Sequence, residues 1–256
     1  MDGESIYRFI RESPPGEVNQ VVQDLRELGL TDEERIQKEL QLHHEDSNSP
    51  VTLSKDERVV LSAQSKLDNG RYYDQRLQKS FAVNYETMEA IDVEDYKEKP
   101  TISEDIVKQI QKVTLDHYLS DVSIAIIQND VNVQEYSIIL VSLKYNPQNY
   151  YNGRWRCVCK YDTEIKKLVG TSFIRVHYYE DGNVWLDAER PIDVSVNDVG
   201  KLSDALTEVE NANQRSFNVE LSSLNDKKFK ELRRQLPITR QKINWENVLG
   251  IRMRNA

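Results

Sequence analysis

The chain has 256 residues, 38% of them hydrophobic and 30% charged, with nine Gly and seven Pro. That balance is too apolar for a disordered segment and leaves material for one sizeable core, in one or two domains. The net charge of −9 is unevenly placed: residues 227–256 hold nine Lys or Arg against Glu231 and Glu246, a surplus of seven, and the other 226 residues hold 25 basic and 41 acidic side chains, a deficit of sixteen.

The start, with Asp2 and Glu4, lacks the basic stretch and apolar run of a secretory leader. Ile6, Phe9 and Ile10 form a short apolar stripe before Pro14-Pro15-Gly16 breaks the chain. Val18, Val21, Val22, Leu25 and Leu28 then mark one face of a second helix that Gly29 can end. Thr31 with Glu34 reads as a capping box opening a third helix, with Ile36 and Leu40 inward. His43 and His44 fall in its last turn, where a partly charged imidazole would suit the helix dipole. A metal site there would need further ligands that the sequence does not supply. Residues 1–45 are therefore expected to form an N-terminal helical bundle.

Residues 46–50 read as a linker. A strand-like pattern runs to about residue 90, with a turn at Asn69-Gly70, and Asp92 to Pro100 is an acidic connector. Ser103 is expected to cap a helix with Glu104 and Asp105 in its first turn. Ile102 and Val107 stand at staple spacing, and Ile106, Ile110 and Val113 give its inner face.

The centre reads as antiparallel sheet. Residues 136–143 are apolar on both faces, as in a strand covered on both sides, and are far too short to cross a membrane. Alternation after Asn152-Gly153 puts Trp155, Cys157, Cys159 and Tyr161 on one face and Arg154, Arg156 and Lys160 on the other. Two cysteines one residue apart suit packing better than an intrachain disulfide, and with no leader they suggest a soluble intracellular protein. Asp181-Gly182 marks a hairpin; a two-residue turn there would set Tyr179 opposite Val184 and His177 opposite Leu186. His177 is expected to be a sheet residue with a local hydrogen-bond partner.

From about residue 197 to 221 the period becomes helical, with Leu202, Leu206, Val209, Ala212, Phe217 and Leu221 along one stripe long enough to cover a sheet. A further helix, roughly 226–236, carries Phe229 and Leu232 inward and ends at Pro237. The fold class is α+β: a helical bundle, then residues 51–236 as antiparallel sheet with packed helices in one compact unit, then a tail over 237–256. In that tail Trp245, Val248, Leu249 and Met253 share one side, decorated by Arg240, Lys242, Arg252 and Arg254.

The residues of a catalytic site do not assemble. There is no phosphate-binding Gly-rich loop, no nucleophile elbow and no zinc spacing among four His and two Cys. No cofactor is expected. An apolar tail with a charged rim fits a helix-in-groove contact with an acidic partner, although docking on its own body is the commoner fate of such segments. The basic surface equally suits anionic phosphoinositides. A body of deficit sixteen repels nucleic acid.

Asn149-Tyr-Tyr-Asn-Gly-Arg-Trp-Arg156, His177-Tyr-Tyr-Glu-Asp-Gly-Asn-Val184 and Leu232-Arg-Arg-Gln-Leu-Pro-Ile-Thr-Arg240 resemble signatures of the F-actin-capping protein alpha subunits. So do Pro14-Pro-Gly-Glu-Val-Asn19 and Lys242-Ile-Asn-Trp245, in the same order along almost the whole chain. The resemblance implies a heterodimer with a beta subunit through a shared sheet, a cytoplasmic, cytoskeletal setting, and non-enzymatic capping of barbed ends by a C-terminal segment. It implies actin contacts at Lys230, Arg234 and Arg240, with Trp245 and Leu249 on the apolar side and Lys242 and Arg252 adding charge. Tyr151 departs from the Trp of the family pattern, and Gly250 interrupts the tail.

Overall fold

The computed structural model describes residues 3–55, 57–118, 122–179 and 184–223. It divides into two units, residues 1–209 and 210–256.

Three helices open the first unit: α1 (Gly3–Arg11), α2 (Val18–Glu27) and α3 (Glu33–Ser47). Ile10, Val18, Val22, Leu25, Ile36 and Leu40 close one apolar cluster, as the stripes predict. Tyr7 rather than Phe9 completes it. Phe9 is exposed, and Leu28 also points to water one turn beyond the cluster. Gly29 ends α2 at φ +98, a left-handed conformation that Gly adopts without penalty. The cap of α3 is Asp32 and not Thr31: its carboxylate accepts from the Arg35 amide at 3.1 Å. The linker is shorter than expected, because α3 continues through Ser47. Asn48, at φ 50, turns the chain directly into a strand.

Five short strands follow: β1 (Pro50–Ser54), β2 (Glu57–Val60), β3 (Tyr72–Asp74), β4 (Lys79–Asn84) and β5 (Glu89–Asp95). They form a sheet in the order β2-β1-β5-β4-β3, antiparallel except where β1 meets β5. Val51, Val59, Leu61, Tyr72 and Phe81 are its core.

Helix α4 (Glu104–His117) buries Ile106, Ile110 and Val113, with Ile102 and Val107 in the same cluster. Five longer strands, β6 (Val122–Gln128), β7 (Glu135–Asn146), β8 (Tyr151–Asp162), β9 (Lys167–Tyr178) and β10 (Val184–Ser195), make a wholly antiparallel meander in the order β10-β9-β8-β7-β6. Residues Tyr136 to Val141 are all buried, as expected of a strand covered on both sides, but the coverage stops short of the expected residue 143: Ser142 is half-buried and Leu143 exposed. Tyr136, Ile138 and Leu140 join Cys157, Cys159 and Tyr161 in the main core, together with α4 and with Leu202 and Leu206 from the first turns of α5 (Leu202–Ser223). Ile139 and Val141 turn the other way, onto Ala125 and Val60. Each fully buried aliphatic side chain contributes about 1.5–3 kcal/mol. Both cysteines are buried and form no disulfide with each other.

Along α5 the apolar stripe departs from expectation at Ala212, which is exposed, whereas Asn213 is buried. At 100° per residue, Asn213 and not Ala212 is in phase with Leu202 and Leu206. Phe217 is half-buried. The expected helix at 226–236 lies outside the described residues. No helix among the described residues is long and apolar enough to cross a membrane.

Candidate interaction surface

The seven residues that the sequence nominates for actin contact, Lys230, Arg234, Arg240, Lys242, Trp245, Leu249 and Arg252, all lie outside the described residues. Their arrangement is therefore a matter of sequence alone. The described residues carry a different polar surface, on the face of the long sheet opposite the main core.

That face is built by register. Opposite residues on β8, β9 and β10 form three rows across the strands: Asn152, His177 and Trp185; Arg154, Arg175 and Asp187; Arg156, Phe173 and Glu189. The first row shows that the hairpin register is one residue away from that of a two-residue turn. His177 faces Trp185 rather than Leu186, and Tyr178, not Tyr179, faces Val184. Five residues, 179–183, therefore separate the strands, which a tight two-residue turn does not allow. The His177 and Trp185 rings stack with centroids 4.9 Å apart.

The partner of His177 is distant in sequence. Its Nδ1 donates to Glu17 Oε1 at 2.7 Å, and Asn152 Nδ2 donates to the same oxygen at 2.6 Å. The residue before α2 is thereby fastened to the sheet. Asn152 is fully buried and His177 nearly so, so these charge-assisted bonds form away from water, where each is worth most.

The second row sets two guanidiniums directly opposite each other, an arrangement that is destabilising unless offset. Arg175 is offset by Asp187, which accepts its Nε proton at 2.6 Å. Arg154 is not: it is 8% exposed, and among the described residues it makes no hydrogen bond or ion pair. Burial, and then the positive charges of Arg156 and Arg175, push its pKa down to about 9. Arg156 in the third row stacks on Phe173, 4.2 Å from the ring centroid, and donates to the Asp46 carbonyl and to Asn48 Oδ1. Its buried Nε has no partner. A cavity of about 620 Å³ opens over these arginines, walled by α1, the end of α3 and β10.

The histidines of α3 are buried as well. His43 Nδ1 donates to the Arg11 carbonyl at 2.9 Å. His44 Nε2 donates to the Tyr85 carbonyl at 3.0 Å, so its Nδ1 accepts from the Ser49 hydroxyl at 2.9 Å. Burial foremost holds His43 down to about 4 and His44 down to about 3. Both rings are therefore neutral near pH 7, contrary to the partly charged imidazole expected from the helix dipole: desolvation outweighs the dipole. Among the described residues no group of His, Cys, Asp and Glu is placed to hold a metal ion.

Alternation in the sequence places Arg154 and Arg156 on one face, but it cannot show that Arg175 lies across from Arg154 or that α1 and α3 bury them. The register supplies the first fact and the tertiary packing the second.

The family model described as F-actin capping protein alpha subunit matches residues 6–256. The F-actin-capping protein subunit alpha of Schizosaccharomyces pombe is 65% identical over 256 residues, covering 100% of both chains. That of Saccharomyces cerevisiae is 31% identical, with 96% of this chain and 93% of the relative covered. Among solved structures, the homodimeric actin capping protein alpha subunit from Plasmodium berghei shares the fold. Its TM-score is 0.63 at 16% identity, covering 86% of this chain and 92% of that one. On the extent of these matches, this chain belongs to the F-actin capping protein alpha subunit family.

Proposed function

We propose that the chain is the alpha subunit of a heterodimeric capping protein that binds the barbed ends of actin filaments and blocks subunit addition and loss, without severing and without catalysis. The observation that carries this reading is the full-length, 65% match to a relative named as that subunit. The same reading gives the chain a beta-subunit partner and a place in the cytoplasm, at cortical actin structures of the cytoskeleton.

In this reading residues 1–45 act as a helical bundle and 51–236 as the sheet-bearing body. Residues 237–256 are the tail that holds actin. Lys230, Arg234, Arg240, Lys242 and Arg252 bring the basic end onto an acidic filament surface, and Trp245 and Leu249 slow its departure. Charge acts mainly on association and apolar burial on residence time. Strand β10, at one edge of the long sheet among the described residues, is where a strand of a second subunit can add. Its Pro191 fits that position, since proline within a sheet is tolerated at an edge.

A phosphoinositide-binding adaptor role is the second reading, favoured by the surplus of seven positive charges in residues 227–256. Elongation from actin seeds in the presence of the co-purified heterodimer separates the two. Arrest by the parent and loss of arrest on deleting residues 240–256 supports capping by the tail. Unaffected growth together with sedimentation on phosphoinositide vesicles supports the adaptor.

A further inference from the structure

The cavity over Arg154 is not used by any contact within the described part of this chain, and it is costly to maintain. A guanidinium 8% exposed, facing a second one across the strands, lacking a hydrogen bond among the described residues and helped only by the nearby charge of Asp187, is a poorly compensated buried charge. The Nε of Arg156 is a second orphaned donor beside it. Groups of this kind persist where something else satisfies them.

We propose that this cavity receives a single carboxylate, the side chain of an Asp or Glu of the beta-type subunit that pairs along β10, and that Arg154 is its acceptor-binding group. The proposal rests on the heterodimer reading above.

Three observations fix the occupant. The first is charge. The lining holds four arginines (Arg11, Arg154, Arg156 and Arg175) against four carboxylates. Asp187 is committed to Arg175 at 2.6 Å, Glu12 to Arg8 at 2.7 Å, and Arg11 to Glu39 outside the cavity at 3.4 Å. The lining charges cancel, so the site does not resemble the cationic cluster that a phosphate group needs. Arg154 is the one lining arginine with neither an ion pair nor a hydrogen bond among the described residues. The second is geometry. Arg154 donates only through a planar fork, which matches a carboxylate in two parallel bonds. The third is position. One wall is β10 itself, through Trp185, Asp187 and Glu189, so a strand added at that edge runs alongside the cavity mouth. Trp185, 40% exposed, supplies apolar surface for the rest of the incoming segment.

The interaction has an unusual signature. Arg154→Met removes a charge that is unpaired in the lone chain, so it should leave the thermal stability of the isolated subunit unchanged or raise it. In the heterodimer the same change strands the partner's carboxylate, and dissociation should accelerate by roughly tenfold or more. The decisive experiment is a double-mutant cycle on the co-purified heterodimer, pairing R154M with an Asp/Glu→Ala scan of the beta-type subunit and reading dissociation rates. One partner carboxylate should matter roughly tenfold in the parent background and little in the R154M background. The partner-side scan needs only the parent alpha chain, so the test stands even where R154M folds poorly: no carboxylate whose removal speeds dissociation would overturn the proposal. So would a parental dissociation rate for a well-folded R154M complex. A parent chain that forms no complex with a beta-type subunit would instead overturn the heterodimer reading, and the inference with it.

Discussion

Glu17 and His177 stand 160 positions apart and meet at 2.7 Å, joining the start of α2 to the far side of the long sheet. The same carboxylate oxygen also takes the amide of buried Asn152. One side chain thus ties the N-terminal bundle to two strands.

Glu17→Ala removes the acceptor from both donors while leaving them in place. Losing the partner of a buried polar group costs about 1–3 kcal/mol. We expect a lower thermal midpoint by several degrees in a denaturation scan, and a smaller loss for Glu17→Gln, whose amide oxygen still accepts. Equal midpoints for parent and Glu17→Ala would show that the bundle is held by its apolar contacts alone.

The neutral histidines predict acid sensitivity. The folded pKa values, about 4 for His43 and about 3 for His44, lie below the ordinary 6.5. Below pH 6.5 the unfolded chain takes up protons that the folded chain refuses. The stability these rings contribute is present above that pH and drains away as pH falls toward the folded values. The slope is up to about 1.4 kcal/mol per pH unit for each ring. Urea midpoints measured at pH 7 and pH 5 should fall accordingly. His44→Gln should flatten the dependence even where it lowers stability at pH 7; an unchanged slope would contradict the assignment.

Gly170 sits opposite Cys159 in the β8–β9 ladder, where an added Cβ would lie 2.2 Å from the Val158 carbonyl oxygen and 2.5 Å from Cys159 Cα. Both obstacles are backbone in the middle of the sheet, so relief requires moving a strand. Gly170→Ala should destabilise by about 3 kcal/mol or more. Gly29 has open space around it but a φ of +98. Gly29→Ala should cost only the left-handed strain, about 1 kcal/mol. Comparing the two by chemical denaturation separates steric from conformational demand for glycine; reversal of their order would contradict this reading.

Exposed ion pairs contribute about 0.2–1 kcal/mol each, so Lys230→Ala, Arg234→Ala or Arg240→Ala singly should weaken filament-end binding only modestly. The triple variant should slow association strongly and flatten its dependence on salt. Capping by the triple variant at the parental rate across ionic strengths would remove these residues from the interface.

Much of this fold is legible in the sequence because local rules and tertiary packing agree. The apolar run has both faces covered over 136–141, though not at Ser142 and Leu143, and the periodicity of 106, 110 and 113 marks the buried side of α4. Failures occur where packing overrides a local signal. Asp32 displaces Thr31 as a cap by one residue, and a longer connection shifts the β9–β10 register. Burial discharges His43 and His44 against the helix dipole. The arginine cavity was half-visible, since alternation gives the face of Arg154 and Arg156, but only the register brings in Arg175. The nominated actin contacts beyond residue 223 rest on sequence and resemblance.

The most direct measurement is single-filament microscopy of growing actin with the two ends distinguished, at substoichiometric co-purified heterodimer. Barbed ends should stop while pointed ends continue and filament number stays constant, with arrest lost on removing residues 237–256. Barbed ends that keep growing beside a well-folded complex, or filaments that fragment, would contradict capping.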